Sequence, residues 1–141
     1  MNKTKTMHLI YTAITETKGG RKNGFARSAD GVLDVRLSDP NSDRIGTNPE
    51  QLMAAAWSAS FASSVANVAR ETGVSLSTQV RIHAEVDLSS DECETLLGVR
   101  LAIYLPGLER DVAWRLIEDS RRICPFFRAT QGNIEVVFEI V

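Results

Sequence analysis

Few side chains in this chain are of the kinds that make or break covalent bonds, and their spacing limits what they can do. The sequence holds two cysteines, Cys93 and Cys124, and two histidines, His8 and His83. Neither cysteine belongs to a Cys-x-x-Cys pair or a metal-ligand spacing, so a zinc centre has almost nothing to be built from and no metal is expected. Two thiols allow at most one bridge, and a cytosolic setting disfavours a structural one. Cys93 is flanked by Asp91, Glu92 and Glu94, a field that opposes the thiolate and marks it as unreactive. Cys124 follows Arg121 and Arg122, which favour its thiolate, while the carbonyl end of the helix before it acts the other way. The sequence leaves that balance open. A serine hydrolase is excluded by context: there is no Gly-x-Ser-x-Gly elbow, and neither histidine is placed as a base. Two charged side chains remain in suggestive settings, each with a plain alternative. Arg21, after Gly19 and Gly20, reads as a solvated turn residue, and Glu50 as a helix-capping carboxylate.

The element best able to position such groups runs from Gly46 to Arg70. Thr47 or Asn48 caps it, Pro49 sits where a missing N–H costs nothing, and Glu50 complements the positive end of the helix dipole. No charge then appears until Arg70, and small or apolar residues occupy the whole circumference. That pattern predicts a central helix enclosed on all sides. Its length calls for a test as a membrane span, which it fails: Ser58, Ser60, Ser63, Ser64 and Asn67 make it too polar, and no second candidate exists. So many small side chains let another helix, or a second copy of this one, approach closely.

Around it, His8–Thr17 reads as a strand, Lys18–Gly24 as a turn or flexible loop, and Phe25–Ser28 and Val32–Leu37 as strands joined at Asp30-Gly31. Ser38–Gly46 is a polar loop. After Gly73, Gln79–Leu88 alternates strictly, and Val99, Leu101, Ile103 and Leu105 repeat that pattern beyond an acidic turn at Ser89–Glu94. Glu109–Ile123 reads as an amphipathic helix burying Val112, Ala113, Leu116 and Ile117, barred from continuing by Pro125, and Ile134–Val141 as a final strand. The order βββ-α-ββ-α-β predicts an α+β fold in one domain, residues 1–141, with antiparallel sheets wrapping a central helix. A chain of 141 residues with net charge −2 and a pI near 5.7 offers no basic stripe for nucleic acid. Met1–Met7 leads into no cleavage pattern, so the expected location is the cytoplasm.

Three groups of segments, taken together and in order, closely resemble one family. They are Gly19-Gly20-Arg21 with Asp30-Gly31-Val32-Leu33-Asp34-Val35; Gly46-Thr47-Asn48-Pro49-Glu50-Gln51-Leu52 leading into Ala55-Ala56-Trp57-Ser58-Ala59-Ser60-Phe61; and Leu105-Pro106-Gly107-Leu108-Glu109-Arg110 with Cys124-Pro125 and Ala129-Thr130-Gln131-Gly132-Asn133-Ile134. The family is the organic hydroperoxide resistance (Ohr) branch of the Ohr/OsmC superfamily. The resemblance implies an intertwined, cytoplasmic bacterial homodimer that reduces organic and fatty-acid hydroperoxides with two cysteines and no bound cofactor. One thiolate on the central helix becomes a sulfenic acid, a second cysteine condenses with it, and a dihydrolipoyl protein or other dithiol reduces the disulfide. By the same resemblance Arg21 and Glu50 hold and activate the thiolate, and Cys124 is the resolving cysteine.

The attacking position falls on Ser60. A thiol of pKa about 8.5 can be ionised near neutral pH by an adjacent arginine, whereas a serine hydroxyl is a far weaker acid and has no sulfenic acid analogue. The chain as written is therefore expected to be inactive by the family mechanism, whether the serine was engineered or arose naturally. Phe126-Phe127-Arg128, in place of small polar residues usual after Cys-Pro, and Cys93, outside the family pattern, fit natural divergence. Trp57, Phe61, Phe126 and Phe127 are the candidate lining of an apolar pocket, with plain core packing as the alternative. Glu50 and Ser60 lie about 15 Å apart along one straight helix, so the expectation is a site completed where the central helices of two subunits pack together, closed by Arg21 from its loop. Beside the reductase stand two other readings: a non-catalytic relative that binds an apolar small molecule or lipid, and a structural dimer with no ligand.

Overall fold

Backbone geometry rather than packing shapes the chain up to Pro49, where the first of two compact units ends. The structure, a computed structural model, describes residues 5–141. Strands β1 (Thr15–Lys18), β2 (Phe25–Ser28) and β3 (Asp34–Arg36) form an antiparallel sheet in that order. The Asp30-Gly31 turn between β2 and β3 forms as expected: Gly31 has φ 75°, and the Val32 N–H donates to Asp30 Oδ1 at 3.0 Å. The Ser28 hydroxyl, and after it the Val32 N–H, hold the Asp30 carboxyl below its ordinary pKa.

Two expectations for this unit need correction. The strand read over His8–Thr17 begins only at Thr15. A β-rich sequence makes a strand only where a partner backbone accepts it, and Met7, Leu9, Ile10, Tyr11 and Ile14 are exposed. The stretch Lys18–Gly24 is not a simple loop, since α1 (Gly20–Asn23) is one helical turn within it. Gly19 and Gly20 supply the left-handed entry, with φ 78° and 68°. Gly24, by contrast, has φ −91° and serves close approach: a Cβ there would meet the carbonyl oxygens of Lys18 and Gly20 at 2.3 Å.

The second unit, Glu50–Val141, is built on packing. Helix α2 (Pro49–Thr72) opens with proline in its first turn and closes as a Schellman motif, the Val74 N–H donating to Ala69 O at 2.8 Å beside Gly73 at φ 72°. It is not enclosed on all sides within this chain. Trp57, Phe61, Ser64, Val65, Val68 and Ala69 are buried, whereas Ala55, Ala56, Ala59, Ser63 and Ala66 on the far side are exposed. By length and composition it is also the one helix among the described residues apolar enough to cross a bilayer.

The buried stripe of α2 meets a second sheet of order β4-β5-β6. Strands β4 (Arg81–Ser90) and β5 (Thr95–Tyr104) pair antiparallel, and β6 (Val136–Ile140) lies parallel to β5. Alternation holds over most of both strands, since Val99, Leu101 and Ile103 are buried while Arg81, His83 and Glu85 are exposed, but it fails at Leu88, which is exposed where β4 runs out toward its turn. Each fully buried aliphatic side chain contributes about 1.5–3 kcal/mol. On the outer face Arg100 donates to Glu85 Oε2 at 2.7 Å and to both oxygens of Asp87. Its hydrogen bonds and charge lower the pKa of both carboxyls.

Between β5 and β6 run α3 (Arg110–Ile123) and α4 (Pro125–Thr130). Helix α3 buries Ala113, Leu116, Ile117 and Ser120, leaving Val112 half-buried at the margin of the expected stripe. Pro125 does end α3, but it also opens α4 as its first residue, where a proline costs nothing. The fold is α+β, with two sheets and one long helix.

Candidate functional site

Two polar atoms meet where α2 passes the junction of α3 and α4: Ser60 Oγ lies 3.8 Å from Cys124 Sγ. The junction holds Cys124 firmly. Its backbone N–H closes α3 by donating to Ser120 O at 3.0 Å, and its carbonyl opens α4 by accepting from the Arg128 N–H at 3.0 Å. Between these bonds it is extended, with φ −67° and ψ 120°, as a residue before proline prefers. The thiol is fully buried, and Ser60 is half-buried.

Other hydroxyls nearby are satisfied within their own helices. Ser58, Ser64 and Ser120 donate to Ala54 O, Ser60 O and Leu116 O at 2.7, 3.1 and 2.6 Å. The arginines expected to bear on Cys124 are engaged with other groups. Arg121 stacks over Phe127 and Phe138 at 4.6 and 5.0 Å and pairs with Glu118 at 2.8 Å, while Arg122 pairs with Asp119 at 3.3 Å.

The aromatic residues form a layer beside this pair. Trp57 and Phe126 have ring centroids 6.2 Å apart, Phe61 and Phe138 5.2 Å, and Phe127 and Phe138 5.9 Å. Trp57, Phe61 and Phe127 are buried and Phe126 is half-buried, so all four expected pocket residues belong to the core or pack against it. Phe138 was not among the expected residues, although the alternation Val136, Phe138, Ile140 marks it as inward-facing. One atom in this layer lacks a partner. Trp57 Nε1 is the only buried side-chain nitrogen or oxygen among the described residues with no hydrogen bond, a condition that costs about 1–3 kcal/mol.

Glu50 is half-buried in the first turn of α2, about 15 Å along the axis from Ser60. Arg21 is exposed on α1. Cys93 is exposed in the turn after β4, where Asp91 accepts the N–H groups of Cys93 and Glu94 at 2.7 and 2.8 Å. His83 is exposed beside Glu85 at 3.3 Å. Among the described residues no three His, Cys, Asp or Glu side chains come together as metal ligands.

Known proteins resemble this chain over nearly its full length. The model of the OsmC-like protein family matches residues 40–139. The organic hydroperoxide resistance protein OhrB of Bacillus subtilis (strain 168) is 35% identical over 136 residues, covering 93% of this chain and 98% of its own. Its crystal structure superposes with a TM-score of 0.86. An organic hydroperoxide resistance protein of Xanthomonas axonopodis pv. citri is 34% identical, covering 94% of this chain and 95% of its own. The crystal structure of a Legionella pneumophila organic hydroperoxide resistance protein superposes with a TM-score of 0.87 at 34% identity, covering 94% and 98%.

Proposed function

The chain belongs to the Ohr branch of the Ohr/OsmC superfamily, and from that premise we propose that it is a thiol-dependent organic hydroperoxide reductase lacking only its first sulfur. The observation that carries this reading is the 3.8 Å approach of Ser60 Oγ to Cys124 Sγ. That approach supports reading the two positions as a redox pair in which a hydroxyl stands where the attacking sulfur would be.

With a thiol at position 60, its thiolate attacks the terminal oxygen of the hydroperoxide. The O–O bond breaks, the alkoxide leaves and takes a proton as the alcohol, and the sulfur is oxidised to sulfenic acid. Cys124 then attacks that sulfur, expelling water and forming the disulfide, which an external dithiol such as a dihydrolipoyl protein reduces. Arg21 and Glu50 act on the first thiolate in a site completed where the central helices of two subunits pack together, and Trp57, Phe61, Phe126 and Phe127 receive the apolar part of an organic or fatty-acid hydroperoxide. The protein works in the cytoplasm, and its assembly as a homodimer is supported by the exposed small-residue face of α2 and the exposed apolar side chains of residues 7–14. Serine at position 60 stops the cycle before its first step.

The test is consumption of cumene hydroperoxide with dihydrolipoamide by the chain and by Ser60→Cys, side by side. Turnover by the variant alone supports the proposal, and turnover by neither discards it. A second reading, binding of an apolar small molecule without chemistry, is favoured by the unpartnered indole N–H of Trp57 and would then take its place.

A further inference from the structure

We propose that the indole N–H of Trp57 is the recognition group of this site, donating to an oxygen atom carried by an otherwise apolar ligand. This deepens the reading above and rests on it. Trp57 lies three residues before Ser60 and four before Phe61, so the three side chains share one helix face. Its ring also meets that of Phe126, two residues beyond Cys124. The indole is therefore about one helical turn from the Ser60–Cys124 pair, approached from both elements that build it.

The polar groups around it show why this N–H differs from them. Ser58, Ser64 and Ser120 each return their hydroxyl proton to a carbonyl four residues earlier, a solution open to a short side chain on a helix. The indole nitrogen sits at the end of a rigid ring and makes no such bond. The indole is the largest fully buried side chain of the described residues, and filling that space needs its rings but makes no use of its N–H. Because the indole N–H donates and never accepts, its partner must be an acceptor. Because its neighbours are aromatic and aliphatic, the rest of that partner must be apolar. An oxygen on a hydrocarbon frame meets both conditions, and in so dry a setting one hydrogen bond discriminates strongly. The indole has no exposed surface, so entry requires local repacking, and α4, six residues long, is the shortest helix bordering the layer.

The experiment uses the full chain with Ser60 in place and a pair of probes of nearly the same shape, 2-phenylpropan-2-ol and tert-butylbenzene, which differ in a hydroxyl against a methyl. Calorimetry is expected to show the preference for the alcohol over the hydrocarbon, taken as the ratio of the two affinities, falling about tenfold from the unaltered chain to Trp57→Phe, a ratio in which the change of apolar packing common to both probes cancels. In nitrogen–proton spectra the indole resonance of Trp57, told from that of Trp114 by its loss in Trp57→Phe, is expected to move downfield with the alcohol and not with the hydrocarbon. This second readout stands even if the variant folds poorly. An indole resonance already at a hydrogen-bonded position and unmoved by the alcohol, the same alcohol-to-hydrocarbon ratio in both chains, or binding of neither probe overturns the proposal. Turnover by Ser60→Cys with an unmoved indole discards the role of Trp57 and keeps the reductase reading. A moving indole without turnover upholds Trp57 in a binding protein.

Discussion

Among the described residues up to Pro49, Ala26 and Leu37 are the buried hydrophobic side chains, whereas those from Glu50 onward bury a continuous cluster from Trp57 to Phe127. The first unit is shaped by what its backbone is allowed to do: left-handed glycines, an Asp-Gly turn, and a missing Cβ at Gly24. The second is shaped by what its side chains exclude from water. The same kind of substitution should therefore have opposite weight in the two places, and the candidate chemistry divides accordingly. Arg21 rides on a glycine-built turn, and Ser60 and Cys124 are held by packed helices.

The largest expected effect tests the packed side of this contrast. Oxidised with one equivalent of cumene hydroperoxide, Ser60→Cys should form a disulfide with Cys124, seen in peptide mass mapping as a pair lighter by two hydrogens, with Cys93 still a thiol. A mixture bridging through Cys93 would show that packing does not hold the pair. Next in size, Leu101→Ala, at a fully buried position, should cost about 2–5 kcal/mol in urea denaturation. Val32→Ala, 87% exposed, should stay within about 0.5 kcal/mol, and equal losses would break the contrast. Gly24→Ala should cost more than about 1 kcal/mol, since its Cβ must push the Lys18 and Gly20 carbonyls aside.

The smallest effect concerns the sheet's outer face. Arg100 lowers the pKa of Glu85 and Asp87 from ordinary values of 4.5 and 3.8. The unfolded chain therefore binds more protons in acid. The stabilisation is present above those ordinary values and is lost as pH falls through the depressed folded ones. Arg100→Ala should flatten that part of the stability curve by taking away the neutral-pH contribution, a small loss for so exposed a cluster, while leaving stability in acid below the depressed values unchanged.

How much of this was legible in the chain follows from which forces are local. Pro49 with Glu50, Gly73 and the alternation of Val99, Leu101 and Ile103 are local signals, and they located α2, its end and β5. Pro125 was read as a stop when it is equally a start, so α4 was missed. The strand from His8 was over-read because composition cannot supply a partner backbone. Enclosure of α2 was over-read because an alanine face is equally compatible with being covered or bare. At the site, Ser60 and Cys124 were paired through resemblance, and their approach is a distance no spacing contains. The unpartnered N–H of Trp57 was invisible for the same reason: whether a donor is satisfied depends on every neighbour at once.

The contrast between the two thiols, Cys93 exposed and Cys124 fully buried, makes the protein its own stopwatch. A thiol-reactive dye meets Cys93 without any opening, at a rate slowed by its acidic neighbours, and reaches Cys124 only when the structure around it opens. The slow phase of labelling then times that opening, molecule by molecule, without any change to the sequence. Whatever enters this site must wait on the same clock.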